Sequence, residues 1–291
     1  MSMERKDYHT KLLGLLTLYN PDPKEAVANI KSYLQDLDRL IVWDNSPLEA
    51  NLSEQVLTAL AGDADKMVWQ GTGKNRCIAP AINHAWHYAQ EHGFEMLLIM
   101  DQDSRWDDFA TYRRQIEDYW EKGNKWVFTP YFIGSNFPAK NPPLQFLRIF
   151  INSGTVIPIE ILTAVGGADE RMPLDALDHD LAIRIQKKGY KIVCITTSTL
   201  RHTIGMPTFS SVLHLKTSNY NAWRTYSIAR SHLINYRKHR DWLTFSEKKR
   251  IIKEYYLRRL VLIVLNEDDK WNRIRMMFKG IWDGLTMKIE K

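Results

Sequence analysis

Apolar residues along this chain fall in short unbroken runs separated by stretches with helical spacing. Residues 11–18, 40–43, 67–69 and 96–100 read as strands, the first and last so continuously apolar that they are expected to be covered on both faces. Between them, 24–37, 53–60 and 79–91 place apolar residues three and four apart, as amphipathic helices do. Strands and helices alternating at this rhythm predict a Rossmann-like three-layer α/β/α sandwich with a mainly parallel sheet. A helix over 107–122 and a strand over 125–129 continue the pattern, and 134–143, rich in Pro and Asn, reads as an irregular loop.

The strand over 96–100 runs directly into Asp101-Gln102-Asp103. In extended backbone, residues two apart share a side, so Asp101 and Asp103 face one site while Gln102 turns away. Open α/β sheets bind ligands at the carboxyl ends of their strands. Right-handed crossovers bring Thr17, Asp44, the 70–76 loop and Asp101 to one such edge. Paired carboxylates there suit Mg2+ or Mn2+ carrying a diphosphate. An isolated D-x-D at a strand exit is equally what a solvated or helix-capping pair looks like. The neighbouring Gly71-Thr72-Gly73-Lys74-Asn75 has neither the P-loop spacing nor a dinucleotide fingerprint; it reads as an edge of a nucleotide pocket, with Asn75 opening the helix over 79–91.

With 291 residues, 44% of them hydrophobic and 25% charged, the chain is long enough for one large α/β domain and an appendage. Cys77 and Cys194 have no metal or redox spacing, and no secretory or membrane-spanning segment is evident, so a cytoplasmic location is expected. The charge is uneven. From residue 224 onward there are 17 Lys+Arg against 8 Asp+Glu, while the whole chain is only +6, so the preceding part is net acidic. A basic helical tail suits a solvated surface, anionic lipid or a phosphate-bearing acceptor; without a nucleic-acid motif, nucleic acid is not expected as a partner.

Further on, Asn152-Ser153-Gly154 precedes an apolar segment, and Gly166-Gly167-Ala168-Asp169-Glu170 forms a turn before a helix containing Asp178 and Asp180 and ending at Gly189. Acids in a first helical turn favour the helix dipole, and a carboxylate there is also placed to act as a general base. In the tail, Trp223, Tyr226, Arg230, Leu233 and Arg237 share one helical stripe, and two further helices cover 246–265 and 271–289.

The ordered set Tyr19-Asn20, Asp44-Asn45-Ser46, Asn75 with Ile78-Ala79-Pro80-Ala81-Ile82-Asn83, Asp101-Gln102-Asp103, Ser153-Gly154, Gly167-Ala168-Asp169-Glu170, Asp178-His179-Asp180-Leu181 with Arg184, and His202-Thr203-Ile204-Gly205 resembles the family 2 glycosyltransferases, most of all their rhamnosyltransferase group. The resemblance spans residues 11–240. It implies a GT-A fold and a metal-dependent, inverting transfer from a nucleoside diphosphate sugar, with dTDP-rhamnose the favoured donor. The acceptor it implies is a saccharide of a cell-surface polysaccharide of O-antigen or capsule type, carried on a lipid diphosphate.

By position, the resemblance assigns Thr17, Tyr19, Asp44, Asn75, Asp101 and Gln102 to the donor nucleotide, Asp103 and His202 to a divalent metal, Mg2+ or Mn2+, and Asp178 to the catalytic base. Ser153, Gly154, Asp180, Arg224, Tyr226 and Arg230 fall on the acceptor or diphosphate side. Two positions depart from the family pattern: Cys77 stands where Gly is common, and Ala168 where an aromatic is usual. The expected layout is a GT-A domain over 1–207, with a nucleotide-sugar part over 1–104 and an acceptor-side part over 105–207, then a basic helical extension over 208–291. Two other readings stand beside it: a hexosyltransferase using UDP-glucose or UDP-galactose, and a nucleotide-sugar-binding module without turnover. Peripheral membrane contact and a homodimer are the further partners expected of the tail.

Overall fold

The computed structural model describes residues 9–50, 52–71, 73–132, 142–202, 208–209, 216–217 and 219–289. In chain order its elements are β1 (Leu12–Leu18), α1 (Pro23–Lys31), β2 (Arg39–Asp44), α2 (Leu52–Ala59), β3 (Met67–Gly71), α3 (Ala79–His92), β4 (Met96–Asp101), β5 (Ser104–Trp106), α4 (Phe109–Glu121), β6 (Trp126–Phe132), β7 (Leu144–Leu147), β8 (Thr155–Pro158), α5 (Ile159–Val165), α6 (Leu177–Lys187), β9 (Lys191–His202), α7 (Ala222–Lys238), α8 (Phe245–Ile252), α9 (Arg258–Asn266) and α10 (Lys270–Thr286). The 134–143 loop expectation falls largely on residues outside the described set, as do Thr72 and Thr203-Ile204-Gly205.

The chain packs as two compact units, one of Met1–Ala168 with Arg184–His202 and the other of Asp169–Ile183 with Thr203–Lys291. The first is built on a sheet in the order β3-β2-β1-β4-β8-β6-β9-β5, with β7 also paired to β9. The strands β3, β2, β1 and β4 are parallel in a common register, and β6 lies parallel to β9. The burial of the apolar residues of β1 and β4 follows from helices on both faces. Leu16, Leu98 and Met100 share one face with Tyr33 and with Phe109 and Tyr112 of α4.

Past β4 the simple alternation ends. The segment β8 runs antiparallel to both β4 and β6, and β5 and β7 run antiparallel to β9. The reversal before β8 is made at Gly154, whose φ is +74° and whose N–H donates to the Ile99 carbonyl at 2.7 Å. A Cβ there would lie 2.7 Å from both Leu200 Cδ2 and Pro130 Cγ, so glycine is required by conformation and by space. The helix expected over 24–37 stops at Lys31 and a short 3-10 turn, Leu34–Asp36, finishes the connection.

In the second unit, α7 packs along α10. The two glycines Gly280 and Gly284 bring the backbones together: a Cβ at Gly280 would meet the Tyr226 carbonyl oxygen at 2.5 Å, and one at Gly284 the Arg230 carbonyl oxygen at 3.1 Å. The helix expected over 246–265 is one rod with a π-helical turn, Lys253–Leu257, between α8 and α9. Two of its neighbourhood's basic residues are not surface charges as expected. Arg259 and Arg273 are buried, and both bond to the fully buried Glu267, at 2.8 Å to its Oε2. The two guanidinium groups give the Glu267 oxygens charge-assisted partners inside the protein and leave the buried cluster with one net positive charge.

Candidate active site

The carboxyl ends of the parallel strands are in register: Gly71 lies beside Asp44, Asp44 beside Leu18, and Thr17 beside Asp101. At this edge Asp101, Asp103 and His202 come together, each offering a ligand atom within 4.8 Å of the others'. The route differs from the extended dipeptide expected from sequence. Asp101 ends β4, Gln102 and Asp103 form a turn, and Ser104 begins β5, which pairs with the end of β9 so that Ser104 sits opposite His202. The turn itself places both carboxylates on one side, and a partner 98 residues away brings the imidazole.

Gln102 does not project toward a ligand. Its side chain accepts from the Tyr19 N–H at 2.8 Å and donates to the Tyr19 carbonyl at 3.2 Å, clamping the end of β1 to the acidic turn. Its carbonyl accepts from Asn29 Nδ2. The Tyr19 side chain is exposed, and Thr17 is half-buried.

Beneath the acidic turn lies a run of hydroxyls that sequence reasoning did not single out for this role. The Asp101 N–H donates to Ser153 Oγ at 3.2 Å, Ser153 donates to Ser104 Oγ at 2.7 Å, and Ser104 Oγ is 2.7 Å from His202 Nδ1. Ser104 and Ser153 are wholly buried. The nitrogen that meets Ser104, His202 Nδ1, is also the one 3.4 Å from Asp103 Oδ1, so the serine fixes the ring beside the carboxylate in the way supporting groups hold metal-binding histidines. No local sequence signal marks a serine as the partner of a histidine 98 positions on.

Do these residues fit a divalent cation? Asp103 Oδ1 is buried and makes no hydrogen bond, its approach to His202 Nδ1 being 3.4 Å. An orphaned carboxylate oxygen beside a second carboxylate and an imidazole is a donor set that a hard cation satisfies. Tyr33, below the site, is held protonated first by burial and then by the Asp101 carboxylate.

The residues expected on the nucleotide side are organised around Asp44-Asn45-Ser46. Asp44 accepts from the Ser46 N–H at 2.9 Å. Asn45 reaches the glycine-containing loop, accepting from the Arg76 N–H at 2.9 Å and donating to the Cys77 carbonyl at 3.2 Å. Asn75 accepts from the Cys77 N–H at 2.8 Å, so it shapes the loop and does not open α3, whose cap position is Ile78 followed by Ala79 and Pro80. Cys77 has φ +63°, a conformation that explains why glycine is favoured at such a position. Asn83 clamps Ala168 through both its N–H and its carbonyl, at 2.7 and 3.0 Å.

The remaining candidates belong to other elements. Gly154 is a packing residue of the sheet. Asp178 and Asp180 stand in the first turn of α6 in the second unit. Asp178 is half-buried, accepts from the His179 N–H, and follows two consecutive non-glycine residues in left-handed conformation, Asp175 and Ala176. Such strain is characteristic of sites where position matters. Burial raises the Asp175 pKa; Arg224 opposes this and Asp178 adds to it. Asp180 is fully buried, with Lys238 Nζ at 2.7 Å and His239 Nε2 at 2.8 Å, and Lys238 also bonds Asp169 at 2.6 Å. Arg224 lies 3.5 Å from Asp175 and over the Tyr220 ring, Tyr226 donates to Asp283, and Arg230 contacts Met287. These four side chains are thus occupied in holding the second unit together.

No family model matches the sequence. Among solved structures, the mannosyltransferase PcManGT from Pyrobaculum calidifontis, in complex with GDP-Man and Mn2+, superposes with a TM-score of 0.59 over 97% of this chain and 77% of its own, at 16% identity. GalNAc-T7 with UDP, GalNAc and Mn2+ gives 0.59 over 86% of this chain at 9% identity, and the chain spans about half of its length, 55%. S. aureus TarS 1-349 gives 0.57 over 94% and 81% at 12% identity. The fold is GT-A. In this GT-A chain the Asp101-Gln102-Asp103 turn joins β4 to β5, which pairs with β9. A curated relative, the dTDP-rhamnosyl transferase RfbF of Shigella flexneri, is 24% identical over 216 residues, covering 68% of this chain and 70% of that protein.

Proposed function

We propose that the chain is a family 2 glycosyltransferase that moves rhamnose, with inversion, from dTDP-rhamnose to a saccharide acceptor in cell-surface polysaccharide synthesis. The observation carrying this is the grouping of Asp101, Asp103 and His202 at the carboxyl edge of a GT-A sheet. The donor sugar draws its support from the relative whose name gives dTDP-rhamnose chemistry.

In this reading Asp103 and His202 would hold Mg2+ or Mn2+, and Asp101 would serve the donor nucleotide beside them. The cation supplies charge neutralisation at the departing diphosphate oxygen. Thr17, Tyr19, Asp44 and Asn75 line the nucleotide side, with Gln102 fixing Tyr19. Asp178 takes the proton from the acceptor hydroxyl as that oxygen attacks the anomeric carbon from the face opposite the leaving group, which inverts the centre. Arg224, Tyr226 and Arg230 of α7 are assigned to the acceptor or diphosphate side, and the helices after α7 to the membrane where a lipid-diphosphate-linked acceptor resides.

The test is product formation from dTDP-rhamnose, UDP-glucose and UDP-galactose with a panel of saccharide acceptors, with and without a chelator. A rhamnosyl product that the chelator abolishes is the expected result. Asp178→Asn should then lose about 10²–10⁴-fold in kcat while dTDP binding persists. A glucosyl or galactosyl product moves the donor to the UDP-sugars, and nucleotide-sugar binding without turnover of any donor makes the chain a binding module.

A further inference from the structure

Among the described residues no helix is long and apolar enough to cross a membrane. Helix α10 nevertheless carries an exposed apolar stripe. Trp271, Arg275, Phe278, Trp282 and Leu285 follow one another at steps of four and three, so they lie along one line for about 21 Å. The four apolar members are 86%, 56%, 67% and 51% exposed. The opposite side of the helix is fixed: Met277 is buried, Gly280 and Gly284 abut α7, Arg237 donates to the Gly284 carbonyl at 2.6 Å, and Tyr226 donates to Asp283. The stripe therefore faces outward as part of the folded unit.

We propose that this stripe seats the protein on an anionic phospholipid surface. Charge complementarity selects that occupant. Exposed Lys270, Arg275 and Lys288 accompany the aromatics, and Asp283, the one acid between Lys270 and Lys288, is taken by Lys279 and Tyr226. Tryptophan, phenylalanine and long cationic side chains on one helical face match a lipid interface, where rings enter the acyl boundary and cations reach the phosphates. The face of a second copy would bring two basic tails together, 17 Lys+Arg against 8 Asp+Glu from residue 224 in each, at a like-charge cost. A second stripe, of exposed Leu257 at the end of the π-helical turn and Val261 and Val264 of α9, adds apolar surface in the same unit.

The proposal deepens the membrane assignment above, but its test needs no turnover. The full-length protein is co-sedimented with vesicles of equal phosphatidylglycerol and phosphatidylcholine, and with phosphatidylcholine alone, and its tryptophan emission is recorded. Expected are binding to the anionic vesicles with a blue shift, weak binding to the neutral ones, and loss as salt rises from about 0.1 M to about 1 M, over which the Debye length falls from about 10 Å to about 3 Å. A Trp271→Glu/Trp282→Glu double variant, folded by circular dichroism and still active on a water-soluble acceptor, should bind at least tenfold more weakly. Failure of the native protein to bind anionic vesicles, or undiminished binding by the double variant, overturns the proposal. So does a concentration-dependent dimer that the double variant abolishes. Vesicle binding by a protein that turns over no donor leaves the lipid surface standing and removes the transferase reading alone.

Discussion

The hydroxyl run under the acidic turn makes a specific prediction about metal affinity. Ser104 Oγ lies 2.7 Å from His202 Nδ1 and accepts from Ser153 Oγ at 2.7 Å, with both serines out of solvent. Ser104→Ala removes the group that fixes the imidazole while leaving Asp101, Asp103 and His202 in place. Loss of such a supporting partner typically weakens metal binding about 10–100-fold, or about 1.4–2.8 kcal/mol. It also leaves the Ser153 hydroxyl without its acceptor, at a stability cost of about 1–3 kcal/mol. The assay is calorimetric titration of Mn2+ into protein with dTDP present, alongside free-Mn2+ resonance and denaturant unfolding. Asp103→Ala should abolish the metal dependence of dTDP binding and leave the metal-free component. Mn2+ affinity unchanged in Asp103→Ala would refute the site. Affinity unchanged in Ser104→Ala, with Asp103→Ala impaired, would refute only the role given to the hydroxyl run.

Three further outcomes concern stability. Asp180→Leu leaves Lys238 and His239 facing an apolar side chain in the interior of the second unit, and breaking a buried pair of this kind costs about 3–5 kcal/mol, readable by urea unfolding of the second unit. Burial acts to raise the Asp169 pKa, but hydrogen bonds from Arg171 and Lys238 outweigh it and hold the carboxyl well below the ordinary range. Its stabilisation is therefore complete above the unfolded value of about 3.9 and is lost as pH falls through the lowered folded value. Asp169→Asn should consequently flatten the pH dependence of stability below about pH 4, and an unchanged acid limb would contradict the assignment. Gly154→Ala combines contacts at 2.7 Å with a φ of +74°, so overpacking of about 1–3 kcal/mol and left-handed strain of about 1–2 kcal/mol should together lower the thermal midpoint clearly.

The sequence by itself determined the parallel half of the sheet, because runs of apolar residues buried on both faces and the intervening helical spacing are local patterns that nothing distant contradicts. It also marked the acidic pair, since Asp101 and Asp103 follow the unbroken apolar run of residues 96–100. What it did not determine was how they meet. The turn at Gln102-Asp103, the clamp from Gln102 to Tyr19, and the hydroxyl run from Ser153 through Ser104 to His202 depend on strands that pair across as many as 98 residues, and β8 is antiparallel where the alternation suggested more of the same. The tail shows the same division. Its helices were legible from spacing, yet only packing separated Arg259 and Arg273, buried on Glu267, from Arg275, which stays exposed beside Trp271 and Phe278. Periodicity fixes which residues share a face of a helix; the partner that covers that face, and hence whether a charge is a structural pair or a surface, is decided by tertiary contacts alone.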